Sequence, residues 1–201
     1  NHTAIKMWRV CVESGKRELR EHRHINFEIA LVINGSGIYQ TPKGTKTIEK
    51  GNIFVFASNE PHCIIDVGSD GLQLLNLHFS NKLIEYNPLL ENNYPYIFYN
   101  HSKEFNCKIT SSNNISNILL NLKKELENHS EGYECVISGL VLDLFVELIR
   151  NHNYYTKEEN ESPWYENIFT ANFIGDKFLK NMGFTVGAAY SAKVTAGLMS
   201  K

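Results

Sequence analysis

The chain has 201 residues, 42% hydrophobic and 11% aromatic, enough for one packed domain with an appendage and too apolar for wholesale disorder. Twenty basic against 22 acidic side chains leave a net charge of −2, which excludes a basic excess of the kind a complete nucleic-acid-binding protein shows. The longest apolar run, over 141–149, is broken by Asp143 and Glu147, so no membrane span is expected.

From the N-terminus to about Tyr99 the apolar residues come in short runs with period two, separated by turn residues. Strands are expected over 27–33, 37–41, 46–48, 53–57, 62–67 and 72–79. Turns are expected at Asn34-Gly35-Ser36-Gly37, Pro42-Lys43-Gly44, Gly51-Asn52, 58–61 and 68–71. Many short strands with glycine turns point to an antiparallel sandwich or barrel.

The period then becomes helical. Ile115, Ile118, Leu119, Leu122 and Leu126 step by three and four, with Ser111 or Ser112, Asn113 and Asn114 as N-cap candidates. After a break near 130–132, Ile137, Val141, Leu144 and Leu148 form a second stripe with the +4, +3, +4 spacing of a helix pair, read as packing against the β part or, as a dimerisation seam, against a second copy of the chain. The stretch 111–160 holds 4 basic and 8 acidic side chains, a poor DNA surface. The expected organisation is a barrel over 1–105, an antiparallel α-helical hairpin over 106–157 and an unassigned tail over 158–201. Gly175, Gly183, Gly187 and Gly197 interrupt any long helix in the tail.

Cys11, Cys63, Cys107 and Cys135 form no Cys-x-x-Cys pair and read as reduced, mostly buried thiols. With no secretory signal ahead of the first strand-like run, a cytoplasmic location is expected. The chain begins at Asn1 rather than Met and is read as a portion of a longer product.

The chemistry concentrates at His22, His24 and Glu28. On an extended backbone these share one face, and Ala30 continues it. Two imidazoles and a carboxylate on one face suit a divalent transition metal, and His62 supplies a third imidazole. Asn76 and His78 alternate with Leu75, Leu77 and Phe79, so a polar pair also shares a face, as a pocket for a small polar ligand requires.

His22-x-His24-x3-Glu28-x6-Gly35 matches the first cupin motif at every position. Gly51 through His62 resembles the second, with Ala57, Asn59 and Asp66 where that motif prefers Pro, Gly and Asn. The resemblance implies a mainly β chain with α: a cupin double-stranded β-helix, or jelly-roll, barrel followed by the helical hairpin. It also implies His22, His24, Glu28 and His62 as metal ligands. A small cupin followed by Leu122-Lys123-Lys124-Glu125-Leu126, Gly132-Tyr133 and a helix ending in Leu148-Ile149-Arg150 resembles the sensor half of AraC-type transcription regulators. In that family the cupin binds a small effector, the helices make a homodimer, and C-terminal helix-turn-helix units bind DNA. Here the DNA-binding region is expected to be largely absent, with only 178–185 faintly similar to it.

The leading expectation is therefore a non-enzymatic sensor. It binds a small polar effector such as a sugar through His22, His24, Glu28, Ala30, His62, Asn76 and His78, and shifts a conformational population. The rival is a metal-dependent cupin enzyme, a dioxygenase or isomerase, resting on the complete His22, His24, Glu28, His62 set.

Overall fold

The structure is a computed structural model and describes residues 4–16, 20–85, 98 and 101–155, all within one compact unit, Asn1–Tyr155. The expected tail over 158–201 lies outside the described residues. In chain order the elements are β1 (Ile5–Val12), β2 (Gly15–Lys16), β3 (Phe27–Thr41), β4 (Gly44–Glu49), β5 (Ile53–Phe56), β6 (Cys63–Phe79), the short α1 (Lys82–Glu85), β7 (Lys108–Ile109), α2 (Asn113–Asn128) and α3 (Tyr133–Asn151).

Two strands organise the barrel. The first half of β3 pairs with the second half of β6, from Phe27↔Phe79 to Gly35↔Leu72. The second half of β3 pairs with the first half of β6, from Gly37↔Val67 to Gln40↔Cys63. Around the first stretch the strand order is β1-β6-β3-β5-β7; around the second, β2 flanks β6 and β4 flanks β3. One long hairpin thus serves both sheets of a jelly roll.

The expected turns at 34–37 and 68–71 are corners inside continuous strands, not ends of strands. Register shifts fall between Val32 and Asn34 and between Gly35 and Gly37, so both strands bend together while pairing continues. The corner depends on glycine. Gly35 has φ +87°, and a Cβ added there would lie 1.9 Å from the Gly71 carbonyl oxygen. The strand β1 was not expected; it covers the open edge of β6, from Ile5↔Phe79 to Val12↔Leu72.

The first half of β3 is buried on both faces. Phe27 meets Phe79, Phe98, Phe145 and Tyr154, with ring centroids 5.0–5.9 Å apart, so its face lies under α3 and the residues that follow α3. Glu28, Ala30 and Val32, on the opposite face, point into the barrel.

The helical hairpin forms as the periodicity predicts. Ser112 caps α2 by accepting from the Ile115 amide at 3.2 Å, and His129 closes it in the left-handed region at φ 48°. Asn114 at the start of α2 donates to Glu147 near the end of α3 at 3.2 Å, so the two helices run antiparallel. Of the two expected roles for Ile137, Val141, Leu144 and Leu148, packing within the chain accounts for their burial. All four are 0–3% exposed in a single chain, packed into its own core with Ile115, Leu119 and Leu122. The cysteine expectation changes too: Cys63 and Cys107 are buried, Cys11 and Cys135 exposed, and all are free thiols. Among the described residues no helix is long and apolar enough to cross a membrane.

Candidate functional site

Strand register brings the polar residues together. Glu28 lies opposite His78 on one side and Phe56 on the other; Ala30 lies opposite Asn76 and Phe54. Residues paired in this way present side chains to the same face, a few ångströms apart. His22 reaches the site through an isolated bridge with His62, in which each backbone N–H donates to the other's carbonyl at 3.1 Å.

Loop chemistry fixes the remaining histidines. The Asn59 amide donates to the His24 carbonyl at 2.8 Å, and Ser58 Oγ donates to the Ile25 carbonyl at 2.6 Å, tying the segment before β3 to the turn after β5. Asn59 sits at φ 62°, where the second cupin motif prefers glycine; asparagine is among the few other residues that tolerate this region. The Ala57 amide donates to Glu60 Oε2 at 3.0 Å, a bond that a proline at this position could not make. Both departures from the motif are thereby accommodated.

The histidines converge on one carboxylate oxygen. Glu28 Oε2 lies 2.6 Å from His24 Nε2, 3.2 Å from His62 Nε2 and 2.8 Å from His78 Nε2, and Glu28 Oε1 accepts from Asn76 Nδ2 at 3.0 Å. Glu28 is 3% exposed. Burial alone would push its carboxyl up, but the three imidazoles outweigh burial and hold it far below the usual carboxylate range. The bond to Glu28, working against burial, raises the pKa of His24. Partial desolvation, with the charge of His62 next, lowers that of His22. His62 stacks face to face on Phe56 with centroids 3.8 Å apart, which fixes its ring plane.

The ring nitrogens carry a further constraint. His24 Nδ1 lies 2.9 Å from the Asn26 carbonyl and His62 Nδ1 2.9 Å from the Glu60 carbonyl, so each Nδ1 must carry a proton. Each Nε2 then needs either a second proton or a cation to face the Glu28 carboxylate without lone-pair repulsion. Backbone-anchored Nδ1–H groups with inward Nε2 atoms are how metal-ligating histidines are oriented. The ligating atoms of His22, His24, Glu28 and His62 all lie within 4.8 Å of one another, so the donor set fits a divalent transition ion.

Among the described residues, two buried polar atoms beside Glu28 lack a hydrogen-bond partner, Asn76 Oδ1 and His78 Nε2; the latter approaches Glu28 off the hydrogen-bonding axis. A cavity of about 570 Å³ adjoins the cluster. Of the expected ligand-binding residues, His22, Glu28, His62 and Asn76 line it. His24 and His78 contact Glu28 without lining the cavity, and fully buried Ala30 faces Asn76 in register.

The sequence reading missed the other walls: Val10 and Val12 from β1, Lys16 from β2, Arg20, Tyr39 from β3, and Cys63, Ile64 and Leu74 from β6. It also missed Trp8, whose ring meets His78 edge-on at 4.5 Å. The period-two alternation of Trp8, Val10 and Val12 with Arg9 and Cys11 is the signal that could have found β1.

The AraC-like ligand binding domain family matches residues 12–145, spanning barrel and hairpin. No curated protein matches the chain. Similar solved structures include a cupin protein from Bacteroides fragilis, 17% identical over 45% of this chain and 77% of that one, with a TM-score of 0.36. The Cnp3 cupin domain of Schizosaccharomyces pombe is 15% identical over 42% and 62%, at 0.37. Bacillus subtilis oxalate decarboxylase, a protein with Mn(II) centres, is 25% identical over 39% of this chain and 22% of that one, at 0.34.

Proposed function

Because the chain belongs to the AraC-like ligand binding domain family, we propose that it is the effector-sensing part of a transcription regulator, binding a small polar molecule such as a sugar inside the barrel. The observation that carries this reading is the buried polar cluster opening onto a cavity of about 570 Å³, large enough for a monosaccharide-sized ligand. Apolar walls at Val10, Val12 and Leu74 and polar groups at His22, His62 and Asn76 are the mixture such ligands need.

In the proposed mechanism the ligand shifts a population between two arrangements of the barrel and its helical hairpin. The signal passes to a second copy and to DNA-binding units in a C-terminal region. A dimer face on the hairpin would use its exposed apolar residues, Leu120, Val136 and Val146, because the inner stripe is already covered. Sedimentation over a range of concentrations tests this: Leu120→Lys with Val136→Lys should lower the dimer fraction, and a chain that stays monomeric at high concentration refutes the homodimer.

His22, His24, Glu28 and His62 would hold a divalent transition metal, which would supply Lewis-acid polarisation to an oxygen of the bound molecule. The same donor set favours the second reading, a metal-dependent cupin enzyme. Metal analysis by mass spectrometry and His24→Ala separate the two. Stoichiometric metal with turnover that His24→Ala abolishes supports the enzyme. Ligand binding that shifts the melting temperature without turnover supports the sensor.

A further inference from the structure

The residues named by motif spacing are not the only nitrogen donors around Glu28. We infer that His78 is a fifth donor to a divalent ion held by His22, His24, Glu28 and His62; this rests on the metal-holding reading above and adds a ligand from outside the motif. His78 belongs to β6 and reaches the site only because the register sets it opposite Glu28.

Glu28 sets the geometry. Its Oε1 accepts from Asn76 Nδ2 at 3.0 Å, which leaves Oε2 as the oxygen that faces the imidazoles. The Nε2 atoms of His24, His78 and His62 lie 2.6, 2.8 and 3.2 Å from Oε2. Adjacent ligands of a six-coordinate ion, each about 2.1 Å from it, stand about 3.0 Å apart; around a four-coordinate ion they stand about 3.4 Å apart. The three distances bracket the first value and fall short of the second, so His78 is placed as His24 and His62 are, a neighbour of Oε2 about one ion.

Direction separates a ligand from a hydrogen-bond partner. His78 Nε2 is buried and 2.8 Å from Oε2, yet among the described residues it makes no hydrogen bond, because it meets that oxygen off axis. Two ligands of one ion are aimed at the ion and so point beside each other. The His78 ring is held between Trp8, edge-on at 4.5 Å, and His24, with centroids 4.2 Å apart. A buried nitrogen left without a partner costs free energy, and an ion would supply the partner. The motif residues offer atoms within 4.8 Å of one another; His78 stands outside that set and is tied to it through Oε2, so taking an ion draws its ring inward.

The extra donor changes what the ion can do. A six-coordinate ion with five protein donors keeps one position for an atom of a bound molecule, whereas four donors leave two. One position holds an effector oxygen and leaves none for a second reactant, which favours the sensor over an oxygen-consuming enzyme.

The test titrates Co²⁺ into the tag-free full chain and reads affinity by calorimetry, the visible spectrum, and the hyperfine-shifted imidazole protons by NMR. The wild type should bind the ion with the weak visible bands of a six-coordinate centre. His78→Gln should bind about tenfold or more weakly and lose the shifted signals of one imidazole. His78→Cys should add a near-ultraviolet thiolate-to-cobalt band, which requires position 78 to touch the ion and decides the matter where His78→Gln fails to fold. Weaker binding by His78→Gln with every shifted imidazole retained overturns the inference, since His78 then only orients Glu28. Unchanged binding, or a cobalt-loaded His78→Cys without the new band, overturns it and leaves the motif ligands standing. A wild type that binds no Co²⁺ overturns both the fifth donor and the motif set.

Discussion

Glu28 is the residue on which the site turns, and its place follows from register: β6 puts His78 beside it, and the loops bring His24 and His62 to the same oxygen. Its folded carboxyl titrates below the unfolded value, so the pairing stabilises above about pH 4 and is lost as pH falls further. His24 titrates above its unfolded value, so its contribution is full below about pH 6.5 and is lost as pH rises through the folded value. The pair is therefore at its best, in metal-free protein, between those limits. Glu28→Gln should lower stability by about 2–3 kcal/mol near pH 6 and flatten both flanks of the profile, as followed by urea melts across pH. A variant whose profile keeps the wild-type shape would show that other groups set the dependence. The sequence made His22, His24, Glu28 and His62 legible because motif spacing encodes a shared face. It could not show that Asn76 and His78 meet Glu28, since that depends on which residues of two distant strands are paired.

At the scale of elements, the corner glycine and the helical stripe carry the fold. Gly35→Ala adds a Cβ against the backbone of Gly71, which has no flexible end to move aside, and also strains a positive φ. It should cost more than about 3 kcal/mol. Gly44→Ala has φ +91° but nothing within 4 Å of the new Cβ, so only the backbone term of about 1–2 kcal/mol applies. Equal losses in the two variants, by chemical denaturation, would remove the close-approach argument. Leu144, fully buried, should cost about 2–5 kcal/mol as Leu144→Ala, while Val146→Ser, at a site 39% exposed, should stay within about 0.5 kcal/mol. The helices were legible because a 3.6-residue period and an N-cap are local properties. The corners were not, because Asn34-Gly35 reads as a hairpin turn in isolation, and only the continued pairing of β3 with β6 turns it into a bend. The seam of α3 was legible as a stripe, but sequence does not say whether a stripe is covered by its own chain or by another.

Across the molecule, the barrel site is joined to the end of α3 by a short run of contacts. His62 Nδ1 donates to the Glu60 carbonyl, Glu60 Oε2 lies 3.2 Å from His101 Nε2, and the next residue, Ser102, donates from Oγ to the Asn153 carbonyl at 2.7 Å. The Ser102 amide also donates to the Tyr154 carbonyl at 2.8 Å, and Tyr154 is fully buried against Phe27, Phe105 and Phe145. A ligand that reorients His62 therefore acts on the turn that holds the last residues before Thr156, which gives the proposed population shift a physical route. Hydrogen exchange makes the route measurable. Binding of a small polar probe in the cavity should change protection of the His152 and Tyr154 amides, both of which donate to the Leu148 carbonyl. Ser102→Ala should leave the affinity for that probe unchanged and abolish the change in protection. A response at Tyr154 that survives Ser102→Ala would show that the coupling runs instead through the sheet beneath Phe27 and α3.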